Sequence, residues 1–221
     1  MKVIIQCAAT KDERGGYWQT GNGKRVKFIA YQNQEHSKDF IYARPDDVSD
    51  EGLPWRSLLW QYNETPHRNP FNLYPAYKLY SNEIYRDLAN EFGIENTYIL
   101  SAGWGLIRAD FLTPQYNITF SASAPDEYRR RKNDQYQDFR LLPDDGDALV
   151  FFGGNDYLPL LESLTRNFKG KRTVFYNSKS RLELPGCTLR RYRTSTRTNW
   201  HYECARALIN GEIACKKDRD D

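Results

Sequence analysis

Residues 98–121 read YILSAGWGLIRADFLTPQYNITFS. Tyr98, Ile99 and Leu100 open the stretch as a buried strand, because aromatic and β-branched side chains fit a pleated surface covered on both faces. The apolar run then stops at Ser101, Ala102, Gly103 and Gly105. Small residues let backbone approach a ligand, and glycine takes the positive φ of a tight turn. A buried strand ending in such a loop is the mark of an open α/β sheet, whose ligands bind beyond the carboxyl ends of the strands. On that reading Trp104, Arg108, Asp110, Gln115, Tyr116, Asn117 and Phe120 line a pocket; an ordinary turn and surface loop is the alternative.

The same pattern occurs twice more. Residues 1–7, MKVIIQC, form a covered strand centred on Val3, Ile4 and Ile5, and its polar loop carries Lys11, placed to meet a phosphate or water. Residues 148–152 form another, running through Gly153, Gly154, Asn155, Asp156 and Tyr157 into a helix that reaches Leu164. Asp156 either caps that helix or faces the pocket as an acid or base. Between the first two strands, Ile84, Tyr85, Leu88, Ala89 and Phe92 recur at helical spacing, with Ser81 as N-cap and Gly93 as terminator. A strand, a helix and a strand favour parallel pairing. Residues 174–176 and 187–192 are the last strands, and Asn199 caps a helix over Trp200–Ile209. The expected fold is α/β, a mainly parallel central sheet flanked by helices, in a single domain over residues 1–221. A long insertion follows the first strand. It spans residues 17–75, lacks helical periodicity, holds short strands at 26–31 and 40–43, and is anchored by Trp55, Trp60, Tyr62, His67 and Phe71 as a cap or lid.

With 221 residues, 39% of them hydrophobic, the chain has enough apolar surface for one core. Its formal charge of +3 is small, so the sign of the field is local. No apolar run is long enough to span a bilayer and no hydrophobic leader precedes the first strand, which predicts a cytoplasmic protein with no membrane partner. The 4 cysteines, at 7, 187, 204 and 215, have no CxxC spacing and no histidine at ligand spacing, so no metal or other cofactor is expected and the thiols are reduced. Cys7 is a nucleophile or simply a small buried hydrophobe.

Basic residues gather in two places. Arg129, Arg130, Arg131 and Lys132, interleaved with Tyr128 and Tyr136, form a solvated helix face or a phosphate-contacting edge, partly cancelled by Asp134 and Asp138. Arg190, Arg191, Arg193 and Arg197 surround Thr194, Ser195, Thr196 and Thr198 ahead of Asn199. This second cluster is the stronger nucleic-acid signal, since guanidinium and hydroxyl groups contact phosphate oxygens and a helix start adds amide donors. The 16 Tyr and 5 Trp supply stacking plates for bases, or an aromatic core.

The run ILSAGWGLIRADFLTPQYNITF resembles a segment of the YaaA peroxide-stress proteins, with Ser101, Gly105, Arg108 and Tyr116 at the matching positions. Those proteins also begin with a strand ending in a small polar loop and a lysine, as MKVIIQCAATK does here with Cys7 and Lys11. In the order of its elements the chain is similar to the uracil-DNA glycosylase superfamily: ILSAGWG with Phe120 and Ser121, then ALVFFGGND, then TLRRYRTSTRTN before a final helix. The resemblance implies a DNA glycosylase that hydrolyses the N-glycosidic bond of a flipped, modified base, with DNA, including modified phage DNA, as partner and anti-phage defence as the setting. A flipped base needs a stacking surface, edge-reading groups and a phosphate clamp. Trp104, Tyr116 and Phe120 are the stacking candidates, Asn117 and Asn155 read the base edge, and Lys11, Arg108, Arg191, Arg193, Ser195, Arg197 and Asn199 hold the strand. Asp110 is the first choice of carboxylate beside the sugar and Asp156 the second, with Asn117 grouped with them as a catalytic candidate. A DNA-binding stress protein without catalysis and a small-molecule nucleoside N-glycosidase are the alternatives.

Overall fold

The computed structural model describes residues 1–31, 37–65, 69–179 and 182–214. His67, Cys215 and the charged tail after it lie outside the described residues. From the amino end the elements are β1 (Lys2–Gln6), β2 (Trp18–Gln19), β3 (Arg25–Ile29), β4 (Phe40–Ala43), α1 (Trp55–Glu64), β5 (Tyr74–Pro75), α2 (Ala76–Leu79) and α3 (Ile84–Phe92). There follow β6 (Thr97–Ser101), β7 (Gly105–Arg108), β8 (Leu112–Thr113), β9 (Tyr116–Asn117), β10 (Phe139–Arg140), β11 (Leu149–Phe152), α4 (Leu158–Thr165), β12 (Arg172–Tyr176), β13 (Cys187–Arg191) and α5 (Trp200–Ile209).

The central sheet has the order β10-β7-β6-β1-β11-β12-β13. Five neighbouring strands, β6 to β13 across β1, run parallel, and the pairing of β1 with β6 and β11 is parallel as the strand-helix-strand pattern requires. Val3, Ile4, Ile5, Val150, Phe151 and Phe152 are fully buried, as strands covered on both faces must be. Each such side chain contributes on the order of 1.5–3 kcal/mol of burial. One helix layer holds α3, whose Ile84, Tyr85 and Leu88 face inward, beside α5. Gly93, at φ 86°, ends α3 as a terminal glycine should. Ile84 N–H is received by Asn82 Oδ1 at 3.0 Å, so Asn82 rather than Ser81 serves the start of α3.

The insertion carries secondary structure of its own. Strands β2, β3, β4 and β9 make a second sheet, and β5 pairs with β8. Helix α1, absent from the periodicity reading, buries Trp55, Arg56, Leu58 and Leu59. It is a ten-residue helix behind Pro54 whose inward row includes an arginine, which hides its apolar face from pattern counting.

Strand β7 is antiparallel to β6, with Ser101 opposite Gly105 and Tyr98 opposite Arg108. Gly105 carries the reversal at φ 88°. A Cβ there would stand 2.6 Å from the Phe139 carbonyl oxygen and 2.7 Å from its nitrogen, against the β7–β10 pair. Gly105→Ala is therefore expected to cost about 1–3 kcal/mol, read as a lowered urea midpoint with an unchanged slope.

Candidate functional site

Chain order fixes where a ligand can sit. From β1 the chain crosses to β6 on one side, and from β11 it crosses to β12 and β13 on the other. The direction reverses between β1 and β11, so a crevice opens beyond their carboxyl ends. The loops at that point are residues 7–11 and 153–157. They meet: Cys7 Sγ is 3.2 Å from the Tyr157 hydroxyl, and Gly154 N–H donates to Gln6 Oε1 at 2.6 Å.

Behind these loops lies a chain of buried hydroxyls. Ser101 Oγ donates to the Tyr116 hydroxyl at 2.8 Å, which is 2.8 Å from the Tyr80 hydroxyl. Ser101 Oγ itself receives Gly103 N–H and Trp104 N–H at 3.2 and 3.1 Å. Nearby, the Tyr85 hydroxyl donates to the Gln6 carbonyl at 2.8 Å and stands 3.4 Å from that of Tyr202. Burial raises the Tyr80, Tyr116 and Tyr157 phenols well above their ordinary range, so they stay neutral and keep their protons.

Lys11 closes this arrangement. Its Nζ stands 4.0 Å from the centre of the Tyr116 ring, and its hydrogen-bond contacts are the carbonyls of Ala8 and Ala9, both at 3.4 Å. Among the described residues no carboxylate forms an ion pair with it. Burial pushes the Lys11 amine down to about 8, slightly offset by Cys7. About a tenth of it is thus uncharged at pH 7, far more than for an ordinary lysine.

The loop between β6 and β7 is pinned by two buried arginines. Arg56, from α1, donates to the carbonyls of Gly103 and Trp104 at 2.9 and 3.0 Å and to Asp46 at 2.5 Å. Arg130 donates to the Ala102 carbonyl at 2.9 Å and, in a two-point pair, to Asp138 at 2.8 and 2.6 Å, with its guanidinium 3.9 Å over the Tyr136 ring. Arg130 is 5% exposed. The charged segment around it is therefore neither a solvated helix nor a uniform phosphate edge. A 3-10 turn over Asp126–Tyr128 leads into irregular backbone that folds Arg130 inward.

Several sequence expectations are corrected by this geometry. Trp104 is fully buried, edge-on to Phe28 at 4.9 Å and stacked on Phe139, and offers no face to a base. Arg108 and Asp110 pair with each other at 2.6 Å on the far side of the β6–β7 reversal, opposite Tyr98 rather than Ser101. They border a hollow of about 560 Å³ with Trp60, Asn63 and Arg140, at the amino ends of the parallel strands. Asn117 is a strand residue opposite Ile29 in the second sheet. Tyr116, 1% exposed, serves the hydroxyl chain rather than a stacking face. Cys7 is buried, and its sulfur also receives Ala102 N–H at 3.4 Å. Asn199 takes a left-handed conformation with no side-chain cap bond, and α4 starts at Leu158 without a cap from Asp156.

Other expected residues lie at the same carboxyl edge of the sheet, some beside the crevice and some two strands away. Phe120 packs edge-on against Tyr157 at 5.0 Å. It shares a hollow of about 180 Å³ with Asp156, Lys132 and Tyr136. Asn155 and Asp156 are exposed on the turn after β11, with Asp156 3.9 Å from Lys132. Arg191 at the end of β13 and Arg193, Ser195 and Arg197 after it are exposed, and the carboxyl end of β13 lies on the same side of the sheet. Arg191 and Arg193 border a groove of about 580 Å³ with Phe175 and Tyr192. Among the described residues no ion pair occupies Arg191, Arg193 or Arg197, and no group of three or more metal-ligating side chains occurs. No described helix is long and apolar enough to cross a membrane.

Pattern reading missed Tyr80, Tyr85, Tyr157 and Tyr202 as site residues. The signal present was four tyrosines at inward helix and loop positions, where leucine or phenylalanine would fill the same space without a hydroxyl to satisfy. Comparison with protein-family models, with curated proteins and with solved structures finds no match to this chain.

Proposed function

We propose that the chain is a DNA glycosylase, hydrolysing the bond between deoxyribose and an extruded base, with its centre at the crevice between β1 and β11 and not at Asp110. One observation carries this reading. A partly buried amine backed by buried hydroxyls, a carboxylate turn and an arginine loop without ion pairs share the carboxyl edge of one parallel sheet. The arginines suit the phosphates of a strand that must be held while one nucleotide leaves the stack. Asp156 is the carboxylate that supports positive charge on the sugar as the base departs. Phe120 and Tyr157 form the aromatic wall beside it.

The test is incubation with plain duplex DNA and with DNA carrying hydroxymethylated or glucosylated cytosine, followed by mass spectrometry of released base and by alkali cleavage at abasic sites. Asp156→Asn is expected to slow release about 10- to 100-fold while DNA binding persists. Asp110→Asn is expected to keep the parent rate, because its ion pair with Arg108 lies at the opposite end of the strands. Salt-sensitive DNA binding with no released base from any substrate would replace this reading by a DNA-binding protein without catalysis. Cleavage of free nucleosides alone would replace it by a small-molecule N-glycosidase.

A further inference from the structure

Lys11 is a cation of the crevice that the base-release reading leaves without a defined task. A lysine at a surface normally runs its stem along apolar groups and puts its ammonium in water. Lys11 instead lies over the Tyr116 ring, with only two contacts at the limit of hydrogen bonding and no described acid to hold its charge. The backbone on either side is fixed: Lys11 bridges to Tyr80, and Asp12 N–H donates to the Leu79 carbonyl at 2.7 Å. The amine is thus held in place, short of acceptors and backed by the Ser101, Tyr116 and Tyr80 hydroxyls. This is how a lysine is kept as a nucleophile.

Resting on the reading that this chain removes bases from DNA, we propose that Lys11 is the nucleophile, attacking C1′ of the extruded nucleotide and cleaving the strand through an imine. The Nζ lone pair forms the bond to C1′ while the C1′–base bond breaks, and the departing base nitrogen takes the proton that Nζ gives up. The nitrogen lone pair then opens the sugar ring, with O4′ taking a proton from water, and leaves a protonated imine between C1′ and Lys11. Loss of a C2′ proton and departure of the 3′ phosphate, with its electron pair, break the C3′–O bond. Water finally releases the unsaturated aldehyde and restores the amine. No oxidant, reductant or metal enters the sequence. A lysine that merely props the Tyr116 ring would form no bond to the sugar, and that difference is what the test reads.

The experiment uses the full chain, a duplex bearing one preformed abasic site and sodium borohydride, which reduces an imine to a stable amine. The expected result is a protein–DNA adduct whose peptide map places the link at Lys11, together with a nick 3′ to the abasic site. Adduct yield is expected to rise with pH through a midpoint near 8, as the amine loses its proton; of the groups facing it, Tyr80 and Tyr116 stay protonated through that window and Cys7 is tied to Tyr157. Lys11→Arg keeps the cation over Tyr116 and is expected to reduce the adduct to background with an unchanged thermal midpoint. An adduct linked to another amine, or one that survives in Lys11→Arg, overturns the proposal. Base release by the parent chain without any adduct overturns it too, and leaves the glycosylase reading standing. An adduct at Lys11 with no base released from any DNA keeps the amine chemistry and removes the glycosylase reading instead.

Discussion

Replacing Arg56 by alanine is expected to destabilise the fold by about 3–5 kcal/mol, the cost of stripping one partner from a buried ion pair. Three acceptors receive that one side chain, the Gly103 and Trp104 carbonyls and Asp46, although the Trp104 carbonyl also receives Phe139 N–H and Asp46 also receives Gln137 N–H. Arg56 is 4% exposed, so water does not replace it at full strength. Lysine cannot present several donors in one plane, so Arg56→Lys is expected to recover only part of the loss. Urea unfolding measures both, and Trp104 fluorescence should shift to the red in the alanine variant as water reaches its loop. A loss below about 1 kcal/mol for Arg56→Ala would mean that the pair contributes no more than a surface ion pair.

Acid is expected to weaken the protein through His201. This side chain is 4% exposed on α5, its Nε2 has no hydrogen-bond partner among the described residues, and burial pushes it down to about 4. The unfolded chain takes up the proton near pH 6.5 while the folded chain refuses it until about 4. Between those values the unfolded state binds more protons, so stability falls as pH drops and is independent of this group above about 6.5. The expected loss from pH 7 to pH 4 is roughly 3 kcal/mol from His201 alone. Carboxylates titrate in the same range, so the measurement is the difference between the parent chain and His201→Phe in urea melts at both pH values. Equal losses in the two proteins would refute the assignment.

How much of this was readable beforehand depends on how local each cause is. Strands β1, β6 and β11 and helices α3 and α5 follow from short-range pattern, because burial on both faces or on one stripe writes itself into neighbouring residues. The reversal at Gly105 does not. Gly105 and the short run after it fit a pocket-lining loop as well as a hairpin, and the choice moves Arg108 and Asp110 from one end of the sheet to the other. Arg130 sits in a run of like charges that pattern assigns to solvent, and only its distant contact with the Ala102 carbonyl explains its burial. The Lys11 environment is assembled from loops after three different elements, so sequence could nominate the residue but not its missing acid partner.

The outermost strands of the central sheet, β10 and β13, have a consequence for solubility. An open sheet border with free amide and carbonyl groups invites a second chain to add itself. Here one border is two residues long and ends at Arg140, while the other ends in Arg190 and Arg191. Stacking two such borders would bring like charges face to face, so the same cations guard the chain against fibrous self-association.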